Sequence, residues 1–240
     1  MSTQFDFVTI SGNAVRGCHQ FAQKVLGRDA VSARDFGSAE TRDHTDSVAD
    51  MVEGKLAELA FAQMVKANTG VTPEANFNIY DDQRITDMGT DLPCVHYNEK
   101  RHALRLSIDV KSTRAWSHWL LVDHFRFHSD VFVIAKIAFP DDIERNDEYW
   151  PELFRLGVKC KIMGFAYRHD FQDPQTGMPR YPFKRGERLY NPNTKDVIGP
   201  PLKSRLNFGL PMCDLRQTPE EWFELFRWLK SSGFYGRSIA

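Results

Sequence analysis

Asp109 and Lys111 stand two residues apart in Leu106-Ser-Ile-Asp109-Val-Lys111-Ser-Thr, inside a stretch whose alternation predicts a strand. A strand repeats every two residues, so both side chains are expected on one face while Ile108 and Val110 enter the opposite packing layer. Asp91, in Asp87-Met-Gly-Thr-Asp91-Leu-Pro, lies 18 residues before Asp109, a separation that suits a hairpin or neighbouring strands. Two converging carboxylates are what a hard divalent cation needs, since Mg²⁺ takes oxygen ligands and is held by one or two carboxylates plus substrate phosphate. A lysine beside them is kept protonated, orients an attacking water and steadies the charge of a pentavalent phosphorus centre.

The elements that must position these groups follow from periodicity. Val15, Cys18, Phe21, Ala22, Val25 and Leu26 predict a helix over 14–26 stopped by Gly27. A longer helix is predicted from a cap at Thr45 or Asp46 to about 68, with Gly70 and Pro73 beyond its end. Its buried side is read as Val48, Met51, Val52, Leu56, Leu59, Ala60 and Gln63, and it carries Glu53, Gly54 and Glu58. Extended pieces are expected at 77–80, 103–111, 119–122, 131–138 and 161–167, with helices at 149–156 and 218–230, the last stopped by Gly233. The fold class is α/β, an α+β mixed sheet flanked by helices, in one domain over 1–240.

The order Gly54-Lys-Leu-Ala-Glu58 on a helix, then Gly-Thr-Asp91, then Asp109-Val-Lys111, resembles the PD-(D/E)xK nuclease superfamily, which includes most type II restriction endonucleases. The resemblance spans roughly 46–138 and implies a restriction-endonuclease-like core with helices on both faces of the sheet. It makes Asp91 the first acid, Asp109 the second, Lys111 the lysine and Glu58 the extra helical glutamate. The catalytic set is then Asp91, Asp109, Lys111 and Glu58, and the metal set is Asp91, Asp109, Glu58 and the backbone of Val110, with Mg²⁺ as cofactor and Mn²⁺ able to substitute. Thr90 precedes the first acid and Pro93 follows it, a departure from the literal pattern. Asp87 competes with Asp91, and Glu53 with Glu58. The implied activity is endonucleolytic hydrolysis of double-stranded DNA, as in restriction-modification. A repair nuclease or junction resolvase of the same superfamily and a non-catalytic DNA-binding module are the alternatives.

The net charge is only −1, so any nucleic-acid surface must be local. With the core taken as about 46–168, residues 170–211 read as an insertion, and its 178–208 portion holds seven basic residues against Glu187 and Asp196. Tyr181, Phe183, Tyr190 and Phe208 are interleaved, a mixture suited to phosphate contact and to packing or base stacking. Arg180, Lys184, Arg185, Arg188, Lys203 and Arg205, with Arg114 after the strand, are the expected DNA contacts. Cutting both strands at a symmetric site needs two centres, so a homodimer is expected.

His118, His124 and His128 offer a zinc alternative, but His124 and His128 share a face only if that piece is helical, and its neighbours read as extended or turn. Four scattered cysteines without a CxxC pair, an N-terminus without a basic and apolar leader, and no long apolar run lead to an expectation of a reduced, cytoplasmic chain with no membrane partner.

Overall fold

The computed structural model describes residues 7–27, 44–79, 90–113, 118–139, 149–231 and 234–238, excepting the side chains of 44–46, 231 and 234–238. Strand β1 (Val8–Ile10) leads into helix α1 (Gly12–Leu26), whose N-terminus is capped by Ser11 Oγ accepting from the Ala14 amide. Val15, Cys18, Ala22 and Leu26 form its buried stripe, and Gly27 ends it as predicted.

Helix α2 (His44–Thr69) organises the molecule. Val48, Val52, Leu56, Ala60, Phe61 and Val65 are buried, and so are Ala49, Ala57, Ala62 and Met64 on other sides of the turn. A helix apolar around most of its circumference belongs inside a fold rather than on it. Gln63, assigned to the buried side from sequence, is exposed, whereas Glu53 and Glu58, not assigned to that side, are buried.

The remaining elements, in order, are β2 (Thr72–Glu74), β3 (Cys94–Tyr97), β4 (Lys100–Leu104), β5 (Ile108–Thr113), β6 (Trp119–Asp123), β7 (Val131–Ala138), α3 (Tyr149–Leu156), β8 (Val158–Tyr167), β9 (Pro182–Lys184), β10 (Leu189–Tyr190), β11 (Val197–Ile198), β12 (Leu206–Pro211), α4 (Pro219–Ser231) and β13 (Phe234–Ser238). The extended segment expected at 77–80 is instead β2, five residues earlier; Pro73 is accommodated there because β2 is an edge strand. The single strand expected at 103–111 is two, β4 and β5, broken at 105–107.

The central sheet runs β1-β8-β7-β5, with β5 and β7 parallel and the other pairs antiparallel. One face, through Ile108, Val110, Val131, Val133 and Phe165, packs on buried residues of α1, α2, α3 and α4. The other face, through Phe132, Ile134 and Ala166, packs on Leu120, Val122 and Leu210 of a second sheet ordered β6-β12-β9. The protein is therefore mixed α/β, but the described helices share one face and a sheet covers the other. This corrects the expectation of helices on both faces. The alternating apolar residues of β6 and β12 supply the apolar cover that a second helical layer would provide.

Residues 170–211, taken from sequence as an insertion, are folded into this second layer. Trp119 anchors it, with Phe183, Tyr181 and Tyr190 edge-on at 5.0, 5.2 and 5.2 Å. Phe208 lies 4.5 Å from Phe127. These interleaved aromatics pack on one another within the fold.

Candidate active site

Strand β5 is an edge strand among the described residues, and the site is built on its free edge. The β3–β4 hairpin, turned at Asn98 and Glu99 with φ of 49° and 62°, folds back so that Asp91 meets Ile108. The Asp91 amide donates to the Ile108 carbonyl at 2.9 Å, and the Asp91 carbonyl accepts from the Asn76 amide at 3.0 Å. The Val110 amide donates to Asp91 Oδ2 at 2.6 Å. A residue's N–H and C=O lie on the same side of its strand, so the Val110 carbonyl faces the same edge as the Asp91 carboxylate.

The alternation predicted for β5 holds. Ile108 and Val110 enter the main core, and Lys111 Nζ lies 2.7 Å from Asp109 Oδ2 on the other face. Asp109 is only 7% exposed, and among the described residues its Oδ2 is met by the Lys111 ammonium as an ion pair and has no hydrogen-bond partner. A buried carboxylate oxygen lacking a hydrogen bond is a costly group that a cation relieves.

The Asp109 charge acts on the Asp91 carboxyl. Burial, and then the Asp109 charge, push the Asp91 carboxyl up to about 7, while Lys111, the Val110 amide and Lys55 pull the other way. Two neighbouring carboxyl groups, that of Asp91 held well above its ordinary range and that of Asp109 paired with the Lys111 ammonium, together with the Val110 carbonyl, fit a hard divalent cation that keeps several waters. No group of three His, Cys, Asp or Glu side chains able to hold a metal occurs among the described residues.

Glu58 is buried on α2 and binds Lys55 through both oxygens, at 2.7 and 2.8 Å. Lys55 Nζ also lies over the rings of Phe21 and Phe77 at 5.5 and 5.7 Å, and its charge reaches Asp91. Glu58 thus joins the site through Lys55, a residue that sequence reading passed over although it sits inside the Gly54-to-Glu58 element. A second omission is the clamp that sets the start of β5: Asp130 Oδ2 accepts from the Ser107 amide at 3.0 Å and from Ser107 Oγ at 2.8 Å. No sequence signal marks that pair, because its partners are 23 residues apart and of common types.

The expected DNA contacts divide. Lys184, Arg185, Arg188, Lys203 and Arg205 are exposed and gathered at one end of the second sheet, where Lys184 pairs with Leu206 and the Arg185 amide donates to the Arg205 carbonyl. Arg180 is engaged elsewhere, donating to Asp214 Oδ2 at 2.7 Å and to the Asp170 carbonyl at 3.3 Å. Arg114 and Asp87 lie outside the described residues. His124 sits in a three-residue 3-10 turn, His124–Arg126, with Nδ1 3.3 Å from Asp123 Oδ1. A cleft of about 670 Å³ between Tyr167, Arg168, Arg216 and Trp228 reaches the β5 clamp at Asp130 but not the acidic pair.

No protein-family model, no curated protein and no solved structure matches this chain. Among the described residues, no helix is long and apolar enough to cross a membrane.

Proposed function

We propose that this chain is a Mg²⁺-dependent endonuclease that hydrolyses phosphodiester bonds in double-stranded DNA, a site-specific deoxyribonuclease of the PD-(D/E)xK type acting as a homodimer. The observation that carries the reading is the convergence of Asp91, Asp109 and Lys111 on the free edge of β5, with the Val110 backbone between them. The passage from a helix bearing a buried glutamate, through a hairpin, to a D-x-K strand paired in parallel with β7 supports a restriction-endonuclease-like core.

Asp91, Asp109 and the Val110 carbonyl would hold Mg²⁺, or Mn²⁺ in its place. The bound ion supplies Lewis-acid stabilisation of phosphate charge and a more acidic water. Lys111 holds its ammonium beside Asp109, where it orients the attacking water and balances charge as one P–O bond forms and another breaks. Glu58 fixes Lys55 so that its positive charge faces Asp91. The basic end of the second sheet engages backbone phosphates.

The test is incubation with a plasmid of mixed sequence and Mg²⁺, followed by sequencing of fragment ends. Discrete ends that vanish on chelation are expected. Intact plasmid at every Mg²⁺ and Mn²⁺ concentration would sink the reading, and nicking confined to branched or unpaired substrates would shift it to a structure-selective nuclease.

A further inference from the structure

Phe125 is the most exposed large apolar side chain described, at 71%, and it projects from the 3-10 turn that joins β6 to β7. The turn is fixed: Asp123 Oδ1 caps the Phe125 amide at 3.0 Å, the His124 ring lies 3.7 Å from the Phe125 ring, and Phe127 is packed between Phe132 and Phe208. Phe127, two residues on, is partly buried against the second core, so the turn is held at both ends while the Phe125 ring stays outside.

The tip emerges beside the basic rim. Asp123 pairs with Asn207 in the ladder, and the next residues of β12 and β9, Leu206 and Lys184, pair with each other. Lys184, Arg185, Arg188 and Arg205 are exposed there and form no ion pair among the described residues. The tip is also near the acidic pair: the Phe127 ring lies 5.6 Å from Phe132, which is the register partner of Asp109 across β5 and β7.

We propose that Phe125 is a wedge that inserts into the base stack of DNA held by the basic rim, so that the preferred substrate is a duplex with a kinked or unstacked step. An exposed apolar ring framed by cations matches a polyanion whose apolar bases open at one step: the phosphates satisfy the charges and the bases cover the ring. The inference builds on the DNA-binding part of the reading above, but not on its chemistry.

The experiment measures binding of a duplex of about 30 base pairs and of the same duplex with one unpaired base, labelled there with 2-aminopurine, in chelator and at low salt. The protein is expected to bind the unpaired duplex about ten-fold more tightly and to change the 2-aminopurine fluorescence, because the unstacking cost is already met. Phe125→Ala is expected to abolish both effects while keeping its melting temperature and its salt dependence, and Phe125→Trp to restore them. Equal affinity for the two duplexes, a preference that survives in Phe125→Ala, self-association through Phe125 in place of a DNA preference, or no DNA binding would each overturn the proposal. Plasmid cleavage in Mg²⁺ separates the two readings. A Phe125-dependent preference without cleavage keeps the wedge and removes the nuclease; cleavage without the preference does the reverse.

Discussion

The free edge of β5 and the far end of the second sheet both concentrate charge, and they manage it in opposite ways. At β5, Asp91 and Asp109 are placed by backbone hydrogen bonds and a core-facing alternation, and their charge is reduced by the raised Asp91 carboxyl and met by Lys111. At the second sheet, Lys184, Arg185, Arg188 and Arg205 project into solvent and depend on the fold only through their backbones. Buried charge carries a desolvation penalty of several kcal/mol unless it is compensated, so each acidic position matters singly, whereas exposed cations contribute in small, additive and salt-sensitive steps. Mutations in the two regions should therefore differ in kind as well as in size.

The largest effect is expected at Asp109. Asp109→Ala should lower Mg²⁺-dependent plasmid cleavage by about 10³-fold or more while leaving DNA affinity within about three-fold, because the change removes negative charge from the path of the backbone. Full cleavage by this variant would remove the acidic edge as the reaction centre and with it the contrast between the regions.

Next is Lys55, whose side chain is 14% exposed and whose partner Glu58 is 6% exposed. Lys55→Met withdraws the ammonium from a buried carboxylate and should cost about 3 kcal/mol, or roughly 6–12 °C of melting temperature. Replacing both residues, Lys55→Met with Glu58→Met, should recover most of that loss. A double variant no more stable than the single one would show that Glu58 does not depend on Lys55.

The acidic edge should also set a pH dependence that the basic rim lacks. Asp91 keeps its proton to about pH 7 in the folded chain, whereas its ordinary value is 3.8. Between those values the native state binds more protons than the unfolded one, so raising the pH lowers stability across that window. Without metal, the melting temperature is expected to fall by a few degrees from pH 5 to pH 8. Mg²⁺ should restore more of it at pH 8 than at pH 5, since the ion displaces the proton. Asp91→Asn should flatten the slope, and an unchanged slope in that variant would assign it to another group.

Why the charged face of β5 was legible and the polar residues of α2 were not, although the helix itself was, follows from the same physics. The D-x-K triplet has a period of two, and only one strand face accepts both charges while Ile108 and Val110 enter the core. Helices α1 and α3 were equally clear, since a single apolar stripe or an apolar block bounded by turns marks each. Helix α2 is apolar on most sides, so no stripe identified which of its polar residues would be buried, and Glu58 and Lys55 were decided by tertiary packing. The 170–211 stretch misled because Pro, Gly and Asn mark the turns of a short-stranded sheet as readily as those of a loop. Its aromatics, open from sequence to either stacking or packing, lie against Trp119 and Phe127.

The smallest effects belong to the rim, and one pair of variants sharpens its definition. Arg205 is exposed, with no ion pair among the described residues, whereas Arg180 already donates to Asp214 and to the Asp170 carbonyl. A cation that meets phosphate directly releases counterions, so Arg205→Ala should weaken DNA binding several-fold at 150 mM salt and reduce the slope of log affinity against log salt by about 0.9. Arg180→Ala removes a half-exposed ion pair of small net value and should change affinity less than two-fold with the slope intact. Replacing Lys184, Arg185, Arg188 and Arg205 together should lower the slope by about 3 to 4 and leave the cleavage rate at saturating DNA unchanged. Equal losses for Arg180→Ala and Arg205→Ala would mean that DNA responds to the charge of the whole second sheet, and the rim would then have no identity of its own.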